Sequence, residues 1–291
     1  MLSIIITSYN EPQTIGRAIE SFLNQDIKDK FEILVVAPDI ETGEIAKQYS
    51  KTKWIKDKRE GKPAALNLAI KEAKGEFLIF TDGDVFVSQD SVEQLLKPFK
   101  DPTVGIVSGR PISLNTRKTM LGYWSHLLTD EGAHTTRLDR TNNKQFIVVS
   151  GYLFAMRNII NRVPEDVLSE DAIISHTIWQ KGYFTDYAPN AKVYVKYPNT
   201  FADWILQKKR SAGGYQQIKN HFRNPPRMRS LTREIMHGWY KPLIYAKNPK
   251  ELIYSLLLYP ARLYLWFVIF KDINIKKVNI LDIWKPIEST K

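Results

Sequence analysis

The sequence predicts an α/β fold, a mostly parallel sheet with helices on both faces, followed by a helical C-terminal extension that is first basic and then apolar. Three observations carry this. Short β-branched runs alternate with helical-period stretches through the first hundred residues, the pattern of a parallel sheet built with crossover helices. Glu76 to Thr81, EFLIFT, is nearly continuous in apolar residues, as in a strand covered on both faces. The positive charge is concentrated: the stretch from Gln207 to Lys250 holds eleven Lys and Arg against one acid, Glu234, in a chain of net charge +11.

The elements follow in order. Leu2 to Thr7 reads as the first strand. Its apolar run has no basic residues before it and is too short for a signal peptide, so the expectation is a domain without a leader, facing the cytoplasm. Pro12 suits a first helical turn, and Ile15, Ala18, Ile19, Phe22 and Leu23 recur at helical spacing behind it. Glu32 to Val36 is a second strand, and Thr42 to Ser50 a second helix. Ala65, Leu66, Ala69, Ile70 and Ala73 form the stripe of a third helix, closed by Gly75, before the strand at Glu76 to Thr81. Further on, a periodic stretch opens at Ser169-Glu170-Asp171 and runs to Lys181, and another helix is expected from Thr200 to Asn220.

Composition bounds the rest. With 291 residues, 43% hydrophobic and 25% charged, the chain is neither disordered, collagen-like nor a polytopic membrane protein. Cysteine is absent, which excludes disulfides, thiolate zinc sites and a cysteine nucleophile, and permits a reducing cytosol. Five scattered histidines form no His-x-x-x-His pair. A net charge of +11 calls for an anionic partner: a nucleotide, a nucleic acid or an acidic membrane surface.

In parallel sheets ligands bind beyond the carboxyl ends of strands. The segments there are polar: Ser8-Tyr9-Asn10-Glu11, Ala37-Pro38-Asp39 and Asp82-Gly83-Asp84. Two carboxylates flanking a glycine suit a hard divalent cation, Mn²⁺ or Mg²⁺, which takes oxygen ligands and keeps places open for water and phosphate oxygens. The same tripeptide alone would serve as a turn; its position after a buried strand favours the metal.

Three segments, Ile4 to Glu11 (IIITSYNE), Arg59 to Asn67 (REGKPAALN) and Gly75 to Asp84 (GEFLIFTDGD), together resemble the family 2 glycosyltransferases, in the family's order and at its usual distances. The resemblance covers roughly residues 1 to 215. It implies a GT-A fold, a Rossmann-like nucleotide-sugar half joined to an acceptor half, and sugar transfer with inversion from a nucleotide diphosphate sugar to an acceptor hydroxyl. It implies that Thr7 binds substrate and that Tyr9, Glu11 and Asp39 meet the nucleobase, Tyr9 packing against it and Glu11 accepting its polar hydrogens. Lys62, at a helix start after Gly61, would meet the diphosphate; Asp82 would face ribose and metal, and Asp84 metal and diphosphate. Phe86 stands where some relatives carry a third ligand.

The resemblance continues in the second half. Phe146 to Arg157 is similar to the family's core strand and turn, with Ser150 and Gly151 bringing backbone close to the donor sugar. Ser169-Glu170-Asp171 resembles the Glu-Asp signature whose aspartate is the catalytic base. The chemistry needs such a group, because the acceptor hydroxyl loses a proton as it attacks, and a carboxylate at a helix N-terminus is kept ionised. A plainer reading leaves Glu170 and Asp171 stabilising the helix end, with Ser169 as cap. Gln207-Lys-Lys-Arg210 resembles the Gln-x-x-Arg-Trp signature of processive cellulose and hyaluronan synthases, with Ser211 in place of the tryptophan; Arg210 would hold diphosphate and Gln207 border the acceptor.

Leu252 to Phe270 is just long enough to span a bilayer core. Pro260 and Arg262 at its middle, and Tyr254, Tyr259, Tyr264 and Trp266 along it, suit interfacial or re-entrant helices more than a clean span. The expected organisation is 1–105 as nucleotide-sugar half, 106–222 as acceptor half with the base, and 223–291 as a membrane-associating extension on the cytoplasmic face of the cell membrane. Expected partners are a nucleotide diphosphate sugar, UDP ahead of GDP, a lipid-linked or glycan acceptor, and an anionic membrane surface, with no nucleic acid. The competing readings are a nucleotidyltransferase on a similar sheet, which would want a Gly-rich N-terminal loop, and a basic nucleic-acid-binding protein.

Overall fold

The structure is a computed structural model that describes residues 1–226, 228, 238–272 and 287–290, with residues 215, 216 and 288 in backbone only. Part of the basic stretch, Arg227, Arg229, Arg233 and Glu234, lies outside the described residues, as does His237. The chain divides into two compact units, one of residues 1–111 and 140–195, the other of 112–139 and 196–291. This division by packing differs from the division by function expected at 105 and 222.

The first unit is built on an eight-stranded sheet. Its elements are β1 (Leu2–Thr7), α1 (Ile15–Leu23), β2 (Phe31–Ala37), α2 (Ile40–Ala46), β3 (Thr52–Lys56), α3 (Lys62–Glu72), β4 (Phe77–Asp82), β5 (Phe86–Val87), α4 (Ser91–Leu96), β6 (Val104–Ser113), β7 (Leu153–Arg157), α7 (Glu170–Gln180) and β8 (Phe184–Val195). The strand order is β3-β2-β1-β4-β7-β6-β8-β5. β1 pairs in parallel with β2 and β4, and β2 with β3; β7 then runs antiparallel to both β4 and β6. The parallel sheet of the sequence reading is thus one side of a mixed sheet, joined at β4 to an antiparallel side.

Local sequence explains the core elements. All six residues of β1 are buried, as its apolar run requires. α1 buries the stripe of Ile15, Ala18, Ile19 and Phe22. α2 starts and ends earlier than Thr42 to Ser50, because the Asp39 side chain accepts the Thr42 N–H and caps the helix there. Gly43 lets α2 lie on β3: a Cβ at this position would come within 2.2–2.5 Å of the Trp54 indole. The strand expected across Phe146 to Arg157 pairs in the sheet only from Leu153. Phe146 to Val149 are buried but hold their backbone by side chains: Ile147 N–H donates to Thr185 Oγ1 (2.8 Å) and Val149 N–H to Ser175 Oγ (3.1 Å). Hydroxyls satisfy there what a ladder would otherwise satisfy.

The second unit is helical. It contains α5 (Met120–Leu127), a π-helical stretch (Leu128–His134), the start of α6 (Thr135–Asn142), α8 (Phe201–His221), α9 (Lys241–Tyr245) and α10 (Pro249–Phe270). Its core gathers Tyr123, Trp124 and Leu127 of α5, Trp204 of α8, and Leu258, Ala261, Leu265 and Ile269 of α10. α10 is capped by Asn248, whose side chain accepts the Glu251 N–H, and runs unbroken through Pro260. The apolar segment is therefore one continuous helix: packing along one face holds it where the proline removes a hydrogen bond.

Candidate active site

The parallel register places Thr7 beside Val36 and Asp82, so the carboxyl ends of β1, β2 and β4 lie level. The Ser8 N–H donates to the Val36 carbonyl and the Gly83 N–H to the Thr7 carbonyl, both at 2.9 Å, which carries the Ser8–Glu11 loop across those strand ends. Asn10 takes a positive φ of 58°, tolerated by asparagine, and turns the loop. Its N–H donates to Asp39 Oδ2 (2.9 Å), and the Glu11 N–H donates to Thr42 Oγ1 (3.1 Å). Tyr9, 41% exposed, sits on this pinned loop as a ring that an incoming group can reach.

Asp39 is buried and both of its oxygens accept backbone N–H groups, from Thr42 and Asn10. Burial raises its pKa, but those hydrogen bonds outweigh it and hold the carboxyl below the usual range. Its visible work is to shape the loop that carries Tyr9.

Carboxylates crowd the end of β4. Thr7 Oγ1 donates to Asp82 Oδ1 at 3.1 Å, and Ser8 Oγ donates to Glu11 Oε2 at 2.7 Å. Gly83 has no room for a side chain, since a Cβ would stand 2.5 Å from Ser8 Oγ and 2.7 Å from Glu11 Oε2. Burial, then the nearby Asp84 charge, pushes Glu11 up to about 8; burial, then Asp82, pushes Asp84 up to about 6. Glu11, Asp82 and Asp84 thus form a crowded, desolvated acidic group.

Lys62 ties this group to the start of α7. Its Nζ lies 2.6 Å from Asp82 Oδ1 and 2.9 Å from Glu170 Oε1. Desolvation lowers the ammonium's pKa, but Asp82 and Glu170 more than offset that and hold it above its usual range. The side chain is still 30% exposed, so a solute can reach it. The expected places of Lys62 and Glu170 are therefore one bridge between strand end and helix start.

Glu170 and Asp171 open α7 as the acidic residues of its first turn. Ser169 makes no side-chain cap bond, so the capping reading does not hold for it. Asp171 packs on the turn at Gly151: a Cβ on the glycine would lie 3.5 Å from Asp171 Oδ2. The turn is held by Ser108, whose Oγ accepts the Ser150 N–H (2.9 Å), and by Thr81, which donates to the Tyr152 carbonyl (2.8 Å). Ser175, one helical turn after Asp171, accepts the Val149 N–H and donates to the Asp171 carbonyl (2.7 Å). Sequence reading missed Thr42, Ser108 and Ser175; the i+4 spacing from Asp171 was the sole signal for the last.

The first unit therefore contains Thr7, Tyr9, Glu11, Asp39, Lys62, Asp82, Asp84, Ser150, Gly151, Glu170 and Asp171. Gln207 and Arg210 lie on α8 in the second unit. Among the described residues no group of three or more His, Cys, Asp or Glu is preassembled as a metal cage. The all-oxygen donor set of Asp82 and Asp84, with its excess negative charge, nevertheless fits a hard divalent cation that takes its remaining ligands from water and phosphate.

This mixed sheet and its strand-end site define a GT-A glycosyltransferase. The chain belongs to glycosyl transferase family 2, whose sequence model matches residues 3–163. It is 27% identical over 233 residues to a Bacillus subtilis (strain 168) protein named "Probable glycosyltransferase YdaM", covering 75% of this chain and 56% of that protein. It is 25% identical over 234 residues to the poly-beta-1,6-N-acetyl-D-glucosamine synthase of Staphylococcus aureus (strain COL), covering 76% and 56%. The chain thus spans a little over half the length of these curated relatives. Among solved structures, the mannosyltransferase PcManGT from Pyrobaculum calidifontis in complex with GDP-Man and Mn²⁺ superposes with a TM-score of 0.61 at 21% identity, covering 88% of this chain and 73% of that one. The S. aureus TarS 1-349 structure in complex with UDP superposes at 0.56 and 16% identity, covering 86% and 76%. Family membership sets aside the nucleotidyltransferase and nucleic-acid-binding readings.

Proposed function

We propose that the chain is a metal-dependent inverting glycosyltransferase that moves a sugar from a nucleotide diphosphate sugar to an acceptor hydroxyl, lipid-linked or on a growing glycan. The observation that supports it most is the Lys62 bridge, which joins the carboxylates at the end of β4 to the Glu170-Asp171 pair opening α7. Groups for donor and base then share one unit. In this reading Tyr9 stacks on the base, Glu11 and Thr7 border the nucleoside, and Asp39 acts by fixing the loop. Lys62, on leaving Asp82, donates to the diphosphate. Asp82 and Asp84 hold Mn²⁺ or Mg²⁺, which supplies charge neutralisation at the departing diphosphate. Asp171 takes the acceptor's proton while Gly151 leaves space beside it. Gln207 and Arg210 are assigned to acceptor and diphosphate by resemblance to their signature.

The functional division at 105 and 222, and placement at the cytoplasmic face of the cell membrane through 223–291, belong to the same proposal. α10 supports membrane association by length and composition. UDP is expected ahead of GDP as the donor nucleotide; the TarS neighbour was solved with UDP and the PcManGT neighbour with GDP-Man. A thermal-shift screen of UDP- and GDP-sugars with Mn²⁺ tests the donor: a UDP-sugar should raise the melting temperature, and EDTA should abolish the rise. Equal shifts with and without metal would contradict the metal assignment. Asp171→Asn should lower turnover by about 10²–10⁴-fold; near-normal turnover would remove Asp171 as the base.

A further inference from the structure

We infer that α10 lies in the plane of the membrane surface and does not cross it, docking the second unit on an anionic bilayer through one apolar face. This rests on the proposed membrane association and adds the geometry and the contact face.

By length and composition α10 passes for a span: 22 residues make about 33 Å of helix. Its packing says otherwise. Glu251 in the first turn pairs with Arg117, Nη2 to Oε2 at 3.0 Å and Nε to Oε1 at 3.1 Å. One turn on, Ser255 Oγ and Tyr123 OH are hydrogen-bonded at 2.7 Å, and Trp124 Nε1 donates to the Tyr254 carbonyl at 2.7 Å. Leu258, Ala261, Leu265 and Ile269 then continue the buried stripe against α5 and α8. Just past the helix, Asp272 pairs with Lys209 of α8. One face is therefore held by its own unit from end to end. A crossing helix would have to abandon these partners or draw α8, with Lys208, Lys209, Arg210 and Lys219, into hydrocarbon, where charged groups are costly.

The opposite face is apolar and open. Leu252, Ile253, Leu256, Leu263, Phe267 and Phe270 recur at spacings that keep them on one side, and all are exposed. No exposed position between 252 and 270 carries a charge. Beside this face Trp239, Tyr240 and Ile244 are also exposed, and Tyr259 OH donates to the Trp239 carbonyl. Exposed lysines stand at both ends, Lys247 just before the helix, Lys250 in its first turn and Lys271 after it. An apolar stripe between lysines at both ends matches one occupant: acyl chains beneath anionic headgroups, both ends meeting the same headgroup plane. A span would send its two ends to opposite planes.

The cysteine-free chain allows a direct test. Single variants Lys250→Cys and Lys271→Cys of the full chain, expressed in bacteria, are probed with a membrane-impermeant maleimide. Both sites should label in inside-out vesicles and neither in intact spheroplasts. Membrane-bound protein whose two sites label from opposite sides would overturn the in-plane geometry and leave membrane association standing. Recovery in the soluble fraction, with no flotation on phosphatidylcholine–phosphatidylglycerol vesicles, would overturn both. Leu263→Glu with Phe267→Glu should lower vesicle binding by about tenfold or more without changing the melting temperature, because these side chains face outward. Conversion of a soluble dimer to a monomer by that pair, with vesicles ignored, would make a second copy the occupant and overturn the proposal.

Discussion

Asp39 can be read for the nucleobase, yet its two oxygens cap α2 and pin Asn10. Asp39→Ala should cost about 0.5–2 kcal/mol, the usual range for a lost cap. The sign of its pH effect follows from its depressed pKa. Such a group stabilises the fold above the unfolded value, and the contribution is lost as pH falls through the folded value. The wild type should therefore lose stability below about pH 4, and Asp39→Ala should lose less over the same window. Thermal unfolding from pH 7 to pH 3 checks this; parallel curves for the two proteins would mean that Asp39 carries no linked proton. The carboxylates Asp82 and Asp84 at the end of a buried strand stood out in the sequence by position, and the family resemblance pointed to Lys62 and Asp171 at helix starts; the structure places all four in the first unit. Ser108 and Ser175 were not legible in the sequence. They bond N–H groups 42 and 26 positions away, and a lone serine in a sequence says nothing about so distant a partner.

β1, β2, β4, α1 and α3 announce themselves because burial on one stripe or both faces leaves a period in the sequence. β3 does not: TKWIK is half-buried, with Lys53 and Lys56 facing water, as at the edge of a sheet. The antiparallel side, β6 to β8, joins residues so far apart in sequence that no local signal records the pairing. Gly43 tests the contact between α2 and this edge. A glycine inside a helix is ordinarily improved by alanine, but here the added methyl would meet the Trp54 ring. Gly43→Ala should destabilise the fold by about 1–3 kcal/mol, the cost of overpacking, and by less in a Trp54→Leu background. Urea unfolding of the four proteins measures this; a stabilising Gly43→Ala would show that the ring is not held against the helix.

The chain assigns different physics to its two units. In the first, a sheet brings five carboxyl groups, Glu11, Asp82, Asp84, Glu170 and Asp171, to strand ends and a helix start, with Lys62 among them. In the second, a helix is packed along one face through Glu251, Ser255 and an apolar stripe, and carries exposed apolar side chains along the other. The basic stretch that marks this unit was visible as a charge count, but that its apolar helix keeps one face for its own core was not: apolar residues stand on the packed and the open face alike, so little period is left to read. In the proposed mechanism the first unit separates donor binding by the β4 carboxylates from proton removal at Asp171. Calorimetric titration of the preferred nucleotide diphosphate sugar, with Mn²⁺, into wild type, Asp84→Asn and Asp171→Asn tests it most directly. Asp171→Asn should bind with wild-type affinity and Asp84→Asn at least about a hundredfold more weakly, the scale of losing a charge that would hold the metal against the diphosphate. Equal binding by Asp84→Asn and wild type, or loss of binding in Asp171→Asn as large as that in Asp84→Asn, would contradict it.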